Sequence, residues 1–346
     1  MNALYSLFAV FVLVLLAMLG AGSLGWHSLF GVVIPYVAMA IFFVGFIAKV
    51  LGWARTPVPF RIPTTAGQQK SLDWIKYNKI DNPVSSGATF IRMVLEVLLF
   101  RSLFRNLAVE RYNPEAGVDV KVRYASAKWL WLFAIMFHYS FLVVVVRHLR
   151  LFTEPVPIFL KPLEFFDGIL QVGIPTMYTS DIVLLLGLTL LLLRRIVIPN
   201  LRYISLPADY FPLFLIMGIG TSGVLMRYFL KTNIISIKEL AMGLATFQPM
   251  VPEGIGTVFY VHVFLVSILL AYFPFSKLMH LGGVFLSPTR NLPNDSRRKR
   301  HINPWNDPTI KPHSYADYEN EFRAPMAEAG IRLEKGLDEA KTETAE

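Results

Sequence analysis

Val258–His280, VFYVHVFLVSILLAYFPFSKLMH, is an apolar stretch that carries two imidazoles, His262 and His280. The eighteen-residue separation makes five full turns at about 100° each, so a single helix presents both rings on one face, about 27 Å apart along its axis. That rise approaches the hydrocarbon thickness of a bilayer, about 30 Å. Polar side chains inside a span are costly to desolvate and turn toward the protein interior, where a partner or a cofactor compensates them. A second span has to answer these two rings.

The composition agrees with a membrane reading: 54% of the 346 residues are hydrophobic and only 16% charged. The chain has no Cys, which excludes disulfides, a thiolate-held iron–sulfur cluster and a Cys-ligated zinc on this chain. Any metal here is held by His or by oxygen ligands. The expected fold is an all-α integral membrane protein with six transmembrane helices forming a helical bundle. The spans read as Ala3–Leu24, Leu29–Leu51, Trp129–Val146, Ile182–Ile198, Phe211–Leu230 and Val258–His280. The first lacks the basic n-region of a signal peptide and reads as a retained helix.

Four regions follow: residues 1–51 with two N-terminal spans, a basic insertion over 52–128, a four-helix core over 129–280, and a polar tail over 281–346. Within the insertion, Ala88–Leu107 looks spanning, but Arg92, Glu96, Arg101 and Arg105 interrupt it, and it reads as a helix at the membrane interface or packed on a partner. Between Gly52 and Lys128 there are twelve Lys and Arg, between Arg194 and Leu206 three, and from Leu281 onward ten. The connections Thr153–Ser180 and Lys231–Gly256 carry one and two. Positive-inside bias therefore places both termini and the insertion in the cytoplasm, which requires an even number of spans. The net charge of +9 is a topogenic signal, and no nucleic-acid partner is expected.

That topology orders the histidines. The helix from Trp129 runs outward and carries His138 and His148; the helix from Val258 runs inward and carries His262 and His280. His138 and His280 fall at the cytoplasmic level, His148 and His262 at the outer level. Neutral imidazole is a common axial ligand of haem iron, and two of them saturate the metal and leave an electron carrier. Two bis-His haems b stacked across the membrane satisfy all four rings. Taken singly, each His is also an interhelical hydrogen-bonding group. His27, His301 and His313 read as surface residues. The spacings do not match: ten residues from His138 to His148 rise about 15 Å against about 27 Å for the other pair. Pro274 can kink the second helix, and tilt can supply the rest.

Phe137-His138 to His148, Phe273-Pro274-Phe275-Ser276-Lys277-Leu278 to His280, and the basic end Arg194-Arg195 resemble the dihaem cytochrome b gamma subunit of respiratory nitrate reductases. The resemblance covers Leu29–Leu51 and Trp129–His280. The extra first helix, the insertion and the tail, with Ser287-Pro288-Thr289-Arg290-Asn291 and His301-Ile302-Asn303-Pro304-Trp305, more closely resemble the M subunit of the sulfite-reduction-associated membrane complex. The resemblance implies that His138 and His280 ligate an inner haem and that His148 and His262 ligate an outer one. It implies electron exchange between menaquinol or menaquinone and a cytoplasmic iron–sulfur partner, within a larger membrane redox complex of the cytoplasmic (inner) membrane. For an M-like subunit that partner is a K subunit resembling the catalytic subunit of heterodisulfide reductase, and the pathway is dissimilatory sulfur respiration; no terminal catalytic site lies on this chain.

Pro157-Ile158-Phe159-Leu160-Lys161 resembles a Pro-Ile-x-x-Lys stretch whose lysine lies at the quinol site of the nitrate reductase gamma subunit, which makes Lys161 a quinone-site candidate; interfacial anchoring is the alternative. Arg147 is a candidate for neutralising haem propionates, as are Arg150, Arg194, Arg195 and Lys277, although anchoring at the interface explains all of them. Arg297-Arg298-Lys299-Arg300 suits anionic lipid head groups. A nitrate reductase gamma subunit, a transporter and a haem-free anchor are the competing functions. A transporter is disfavoured because no Asp or Glu lies in the middle of the spans.

The charge asymmetry predicts that a cytoplasm-active reporter fused after Glu346 or inserted into 52–128 is active and that one inserted into 231–256 is silent. The opposite activity pattern would invert the topology.

Overall fold

The computed structural model describes residues 1–56, 76–105, 107–112, 121–170, 173–294, 311 and 313–334. The basic run Arg297–Arg300 and the His301–Trp305 motif lie outside the described residues. Two compact units are present: one holds the described residues up to Asn294, and the other holds the helix Tyr315–Glu328. That helix is started by a reciprocal Ser314–Asp317 capping box.

Five helices in the first unit are long and apolar enough to cross a membrane. They are α1 (Asn2–Ser23), α2 (Leu29–Ala54), α5 (Lys128–Leu151), α9 (Pro207–Leu230) and α11 (Thr257–Phe275). Between α2 and α5 lie α3 (Ser86–Leu99), α4 (Arg101–Arg105), and an antiparallel pair, β1 (Leu107–Tyr112) with β2 (Lys121–Ser126). Between α5 and α9 come α6 (Leu160–Gly168), α7 (Thr179–Val197) and α8 (Pro199–Ile204); α10 (Ile234–Ala245) precedes α11. The chain leaves the bundle through α12 (His280–Leu286) and α13 (Pro288–Asn291).

Three expectations change. Among the described residues the fold is helical apart from the small β1–β2 ribbon in the insertion, where Val109, Tyr112, Val122 and Tyr124 supply β-branched and aromatic residues. The helix expected over Ala88–Leu107 ends at Leu99, because Phe100 takes a left-handed conformation (φ 48°, ψ 43°). The last span is not continuous to His280. Its α-helix ends at Tyr272, a 3₁₀ turn covers Phe273–Phe275, and Ser276 is extended (φ −121°, ψ 175°). Pro274 supplies no amide hydrogen for the helical ladder, and the Ser276 hydroxyl caps the next turn by accepting from the Leu278 amide at 3.2 Å. His280 therefore opens a new helix instead of sharing a face with His262. The fourth expected span corresponds to α7, which carries Asp181, Arg194 and Arg195 near its ends.

In lipid the hydrophobic effect does not bring helices together; close packing and interhelical hydrogen bonds do. The core is close packing of that kind, with small residues of α1 against large ones of α9 and α11. Ala17 and Ala21 of α1, Leu215 of α9 and Tyr260 and Leu265 of α11 are all but fully buried, while Phe8, Phe11, Phe43, Val44, Leu142 and Val145 are exposed on the outward faces. At one end of the bundle Asn2 Nδ2 donates to the Ser205 carbonyl (2.8 Å) and the Ser6 hydroxyl to the Pro207 carbonyl (2.9 Å), tying α1 to the start of α9. The α5–α7 contact depends on Gly187: a Cβ there would lie 3.0 Å from the Phe137 nitrogen and 3.3 Å from its Cα.

Backbone cannot move aside as a side-chain tip can, so Gly187→Val is expected to wedge α5 from α7. The expected cost is about 1–3 kcal/mol, typical of overpacking, seen as a lower unfolding midpoint in detergent. Gly52→Ala, whose Cβ would meet nothing within 4 Å, is the control. Equal midpoints for the two variants would contradict this packing.

Candidate functional site

The structure brings the rings of four histidines together in two pairs. The His138 and His280 ring centres are 6.0 Å apart with planes at 82°. Those of His148 and His262 are 6.4 Å apart with planes at 7°. Both separations lie within the range of an ordinary ring pair and also match an intervening metal atom. Two imidazole–metal bonds of about 2.0 Å, each extended by roughly 1.2 Å from nitrogen to ring centre, separate the centres by about 6.4 Å.

The remaining ring nitrogens are committed. His138 Nδ1 lies 2.7 Å from the Ala134 carbonyl and His148 Nδ1 2.7 Å from the Val144 carbonyl, each one helical turn back in α5. His280 Nδ1 is 2.9 Å from the Lys277 carbonyl. His262 Nδ1 donates to the Ser222 hydroxyl (2.9 Å), which in turn donates to the Ile219 carbonyl (2.9 Å). A carbonyl only accepts, so Nδ1 carries the proton and the lone pair rests on Nε2, the tautomer a metal requires. Side chains on a helix lean toward its N-terminus, which lets an i−4 carbonyl hold an imidazole this way. Gly223 leaves room beside the outer pair: a Cβ would sit 3.4 Å from His262 Cε1.

Among the described residues no group of three or more His, Cys, Asp or Glu converges as a bare-ion site. Each pair offers two ligands on opposite sides of a gap, the donor set that complements the four equatorial nitrogens of a porphyrin. The residues therefore fit haem, which His138 and His280 could hold at one site and His148 and His262 at the other.

The break at Ser276 frees the separation of His262 and His280 from helical rise. The distance between the α11 ligand and its α12 counterpart is not set by eighteen helical residues, because the chain leaves the helix axis at Pro274 and α12 packs on α2, with Gly282 beside Phe46 and Trp53.

Around the outer pair, α6 and α7 build a buried polar cluster that the sequence did not disclose. Arg147 Nη1 donates to Asp167 (2.6 Å) and Ser180 (3.0 Å), and lies 3.5 Å from Asp181. The Tyr228 hydroxyl donates to Asp181 at 2.5 Å, and the Arg147 guanidinium lies 4.0 Å from the Tyr178 ring centre. Arg147 is thus placed beside His148 but engaged with carboxylates. Arg150, Arg195 and Lys277 likewise face Glu164, Asp209 and Asp209. Lys161 is exposed near the start of α6. One turn farther along, Glu164 binds Arg150 at 2.8 Å, which brings Lys161 to the His148 end of α5. Ser222 is the functional residue with no sequence signal of its own. His27, read as a surface residue, is exposed and stacks on Tyr260 with ring centres 4.7 Å apart.

The family model described as nitrate reductase gamma subunit matches residues 121–294, the stretch that contains all four histidines. A relative from Archaeoglobus fulgidus described as "Hdr-like menaquinol oxidoreductase cytochrome b-like subunit" is 48% identical over 291 residues, 82% of this chain and 85% of the relative. A relative of the same description from Archaeoglobus profundus is 47% identical over 279 residues, 79% of this chain and 81% of the relative. The chain therefore belongs to the nitrate reductase gamma subunit family, as a multi-pass membrane electron-transfer subunit similar to the Hdr-like menaquinol oxidoreductase cytochrome b-like subunits.

Proposed function

We propose that this chain is a dihaem cytochrome b that carries electrons across the cytoplasmic membrane between menaquinol near its outer face and a cytoplasmic iron–sulfur subunit, in dissimilatory sulfur respiration. The observation that carries the reading is the pair of imidazole gaps, 6.0 and 6.4 Å, with every Nδ1 committed elsewhere. When bound, the haems supply two one-electron centres, one at each end of the bundle. The relatives' description as menaquinol oxidoreductase subunits supports the quinol substrate and favours this reading over a nitrate reductase gamma subunit proper.

The chain's own residues do the rest. Helix α7 serves as a sixth span. Its Ser180–Asp181 end meets Arg147 and Tyr228, and its Arg195 end meets Ser205 and Asp209, so its charges sit at the two ends of the bundle. Both termini face the cytoplasm, where the inner pair meets the iron–sulfur partner. Oxidation of menaquinol releases two electrons to the chain and two protons to the outer water. Lys161, at that end and exposed, donates a hydrogen bond to the quinone oxygen. Arg147, held by Asp167 and Asp181, fixes the last turn of α5 and with it His148, and compensates propionate charge at the outer site.

His262→Ala is expected to halve the haem measured as pyridine haemochrome, with loss confined to the outer centre, and His280→Ala to remove the inner one. Unchanged haem content in both variants would overturn the ligand assignment. A reduced-minus-oxidised spectrum without a b-type signal in the parent would instead favour a haem-free anchor or a transporter.

Lys161→Ala, with haem content checked as normal, is expected to slow haem reduction by a menaquinol analogue about tenfold or more, the loss expected for a charged hydrogen bond worth roughly 1.5–3 kcal/mol. Dithionite should still reduce the haems completely. Unaltered quinol kinetics would remove Lys161 from the site.

A further inference from the structure

Helix α3 and the short α4 lie before residue 121, where the family match begins, yet they reach the inner histidine pair. Three contacts fix how far they reach. Trp131 Nε1 donates to the Leu99 carbonyl at 2.8 Å, the Tyr139 hydroxyl donates to the Leu98 carbonyl at 2.6 Å, and the Phe100 ring stands edge-on to His138 with centres 5.1 Å apart. Trp131 and Tyr139 lie about 5 and 16 Å along α5 from Lys128, inside the candidate membrane span Lys128–Leu151. The tip of the segment therefore sits below the membrane surface. From there α4 returns: Phe104 packs on Trp131 at 4.9 Å, and the Lys128 ammonium is 5.3 Å from the Phe104 ring centre.

The two faces of α3 differ. Inward, Thr89 and Arg92 are buried, and Glu96 accepts from the Ser102 amide (3.0 Å) and from Arg290 (3.2 Å). Outward, Phe90, Ile91 and Leu98 are 69%, 56% and 52% exposed. Water would leave such a stripe unsatisfied, whereas it is continuous through Tyr139 with the exposed apolar Leu132 and Leu142 of α5. The turn itself is a left-handed Phe, a conformation that bulky residues adopt only when their surroundings impose it.

We propose that Ser86–Arg105 is a re-entrant membrane element whose outward stripe contacts lipid acyl chains and whose Phe100 turn forms part of the wall of the inner haem site. Its backbone ends are satisfied within protein, as membrane depth demands: the Leu98 and Leu99 carbonyls by Tyr139 and Trp131, and the Phe100 amide by the Leu95 carbonyl. The wall function rests on the haem reading above; the membrane placement does not.

The absence of Cys in the chain makes single-Cys variants uniquely labelled. Nitroxides on Leu98→Cys and Val94→Cys, in the full-length protein in lipid vesicles, are expected to relax more with oxygen than with a water-soluble nickel chelate, and one on the exposed Lys79→Cys the reverse. Nickel accessibility at 98 equal to that at 79 would overturn the re-entrant placement whether or not haem is bound. In haem-replete protein, Phe100→Ala is expected to change the low-spin EPR signal and midpoint potential of the inner haem, leave the outer signal unchanged, and be restored by Phe100→Tyr. An inner signal identical to the parent's would overturn the wall, while loss of both signals in the parent would point to failure of the haem reading instead.

Discussion

An imidazole in an apolar bundle has two nitrogens to satisfy, and this constraint organises the molecule. A neutral ring needs one acceptor for its N–H and one electrophile for its lone pair. Helix α5 supplies the acceptor from its own backbone, four residues back, at both His138 and His148. His262 uses a hydroxyl from α9, and His280 uses a carbonyl of the 3₁₀ turn that precedes its helix. Once Nδ1 is settled in each ring, four Nε2 lone pairs remain, two at each end of the bundle. On the proposed function, a metal centre held between the two rings of each pair would engage all four lone pairs.

The proximity of the four histidines is legible in sequence because helical periodicity converts spacing into height and azimuth. That conversion fails wherever the chain leaves the helix. Extrapolating α11 through Pro274 put His262 and His280 on one face of one rod, but the extended Ser276 makes them ligands from two helices. The His138 ring still stands beside that of His280, and the His148 ring beside that of His262. Phe100 was invisible for a related reason: a left-handed non-glycine residue has no composition signal, and a helical reading of Ala88–Leu107 passed straight through it. The β1–β2 ribbon was hidden in a stretch read only as basic and punctuated by Pro.

Partners of charges are the other thing a sequence conceals. Arg147, Arg150, Arg195 and Lys277 were read from their places at span ends, where lipid anchoring and propionate neutralisation look alike. In the fold each meets a carboxylate: Asp167 and Glu164 come from the connection after α5, and Asp209 from the first turn of α9. Those carboxylates lie at least nine residues away in sequence, and nothing in their spacing announces them. A guanidinium with a buried carboxylate has less capacity left for an added anion, so Arg147 acts first on the shape of the outer site and only then on its charge.

The two ends of the bundle are consequently stabilised by different physics. At the His148–His262 end, Asp167, Ser180 and Asp181 converge on Arg147, one residue from His148, Tyr228 joins through Asp181, and the cluster holds four helices together. Such a cluster is rigid because removing any member would strand a buried partner. At the His138–His280 end, Phe100 stands edge-on to His138 in a segment from outside the family's common stretch, with its polar contacts set back at Glu96, Ser102 and Arg290. On the proposed function, the polar rim suits the end where a quinol is oriented and its protons released, and the aromatic wall suits the end where electrons alone leave, since a tunnelling electron needs closeness and no hydrogen-bond partner.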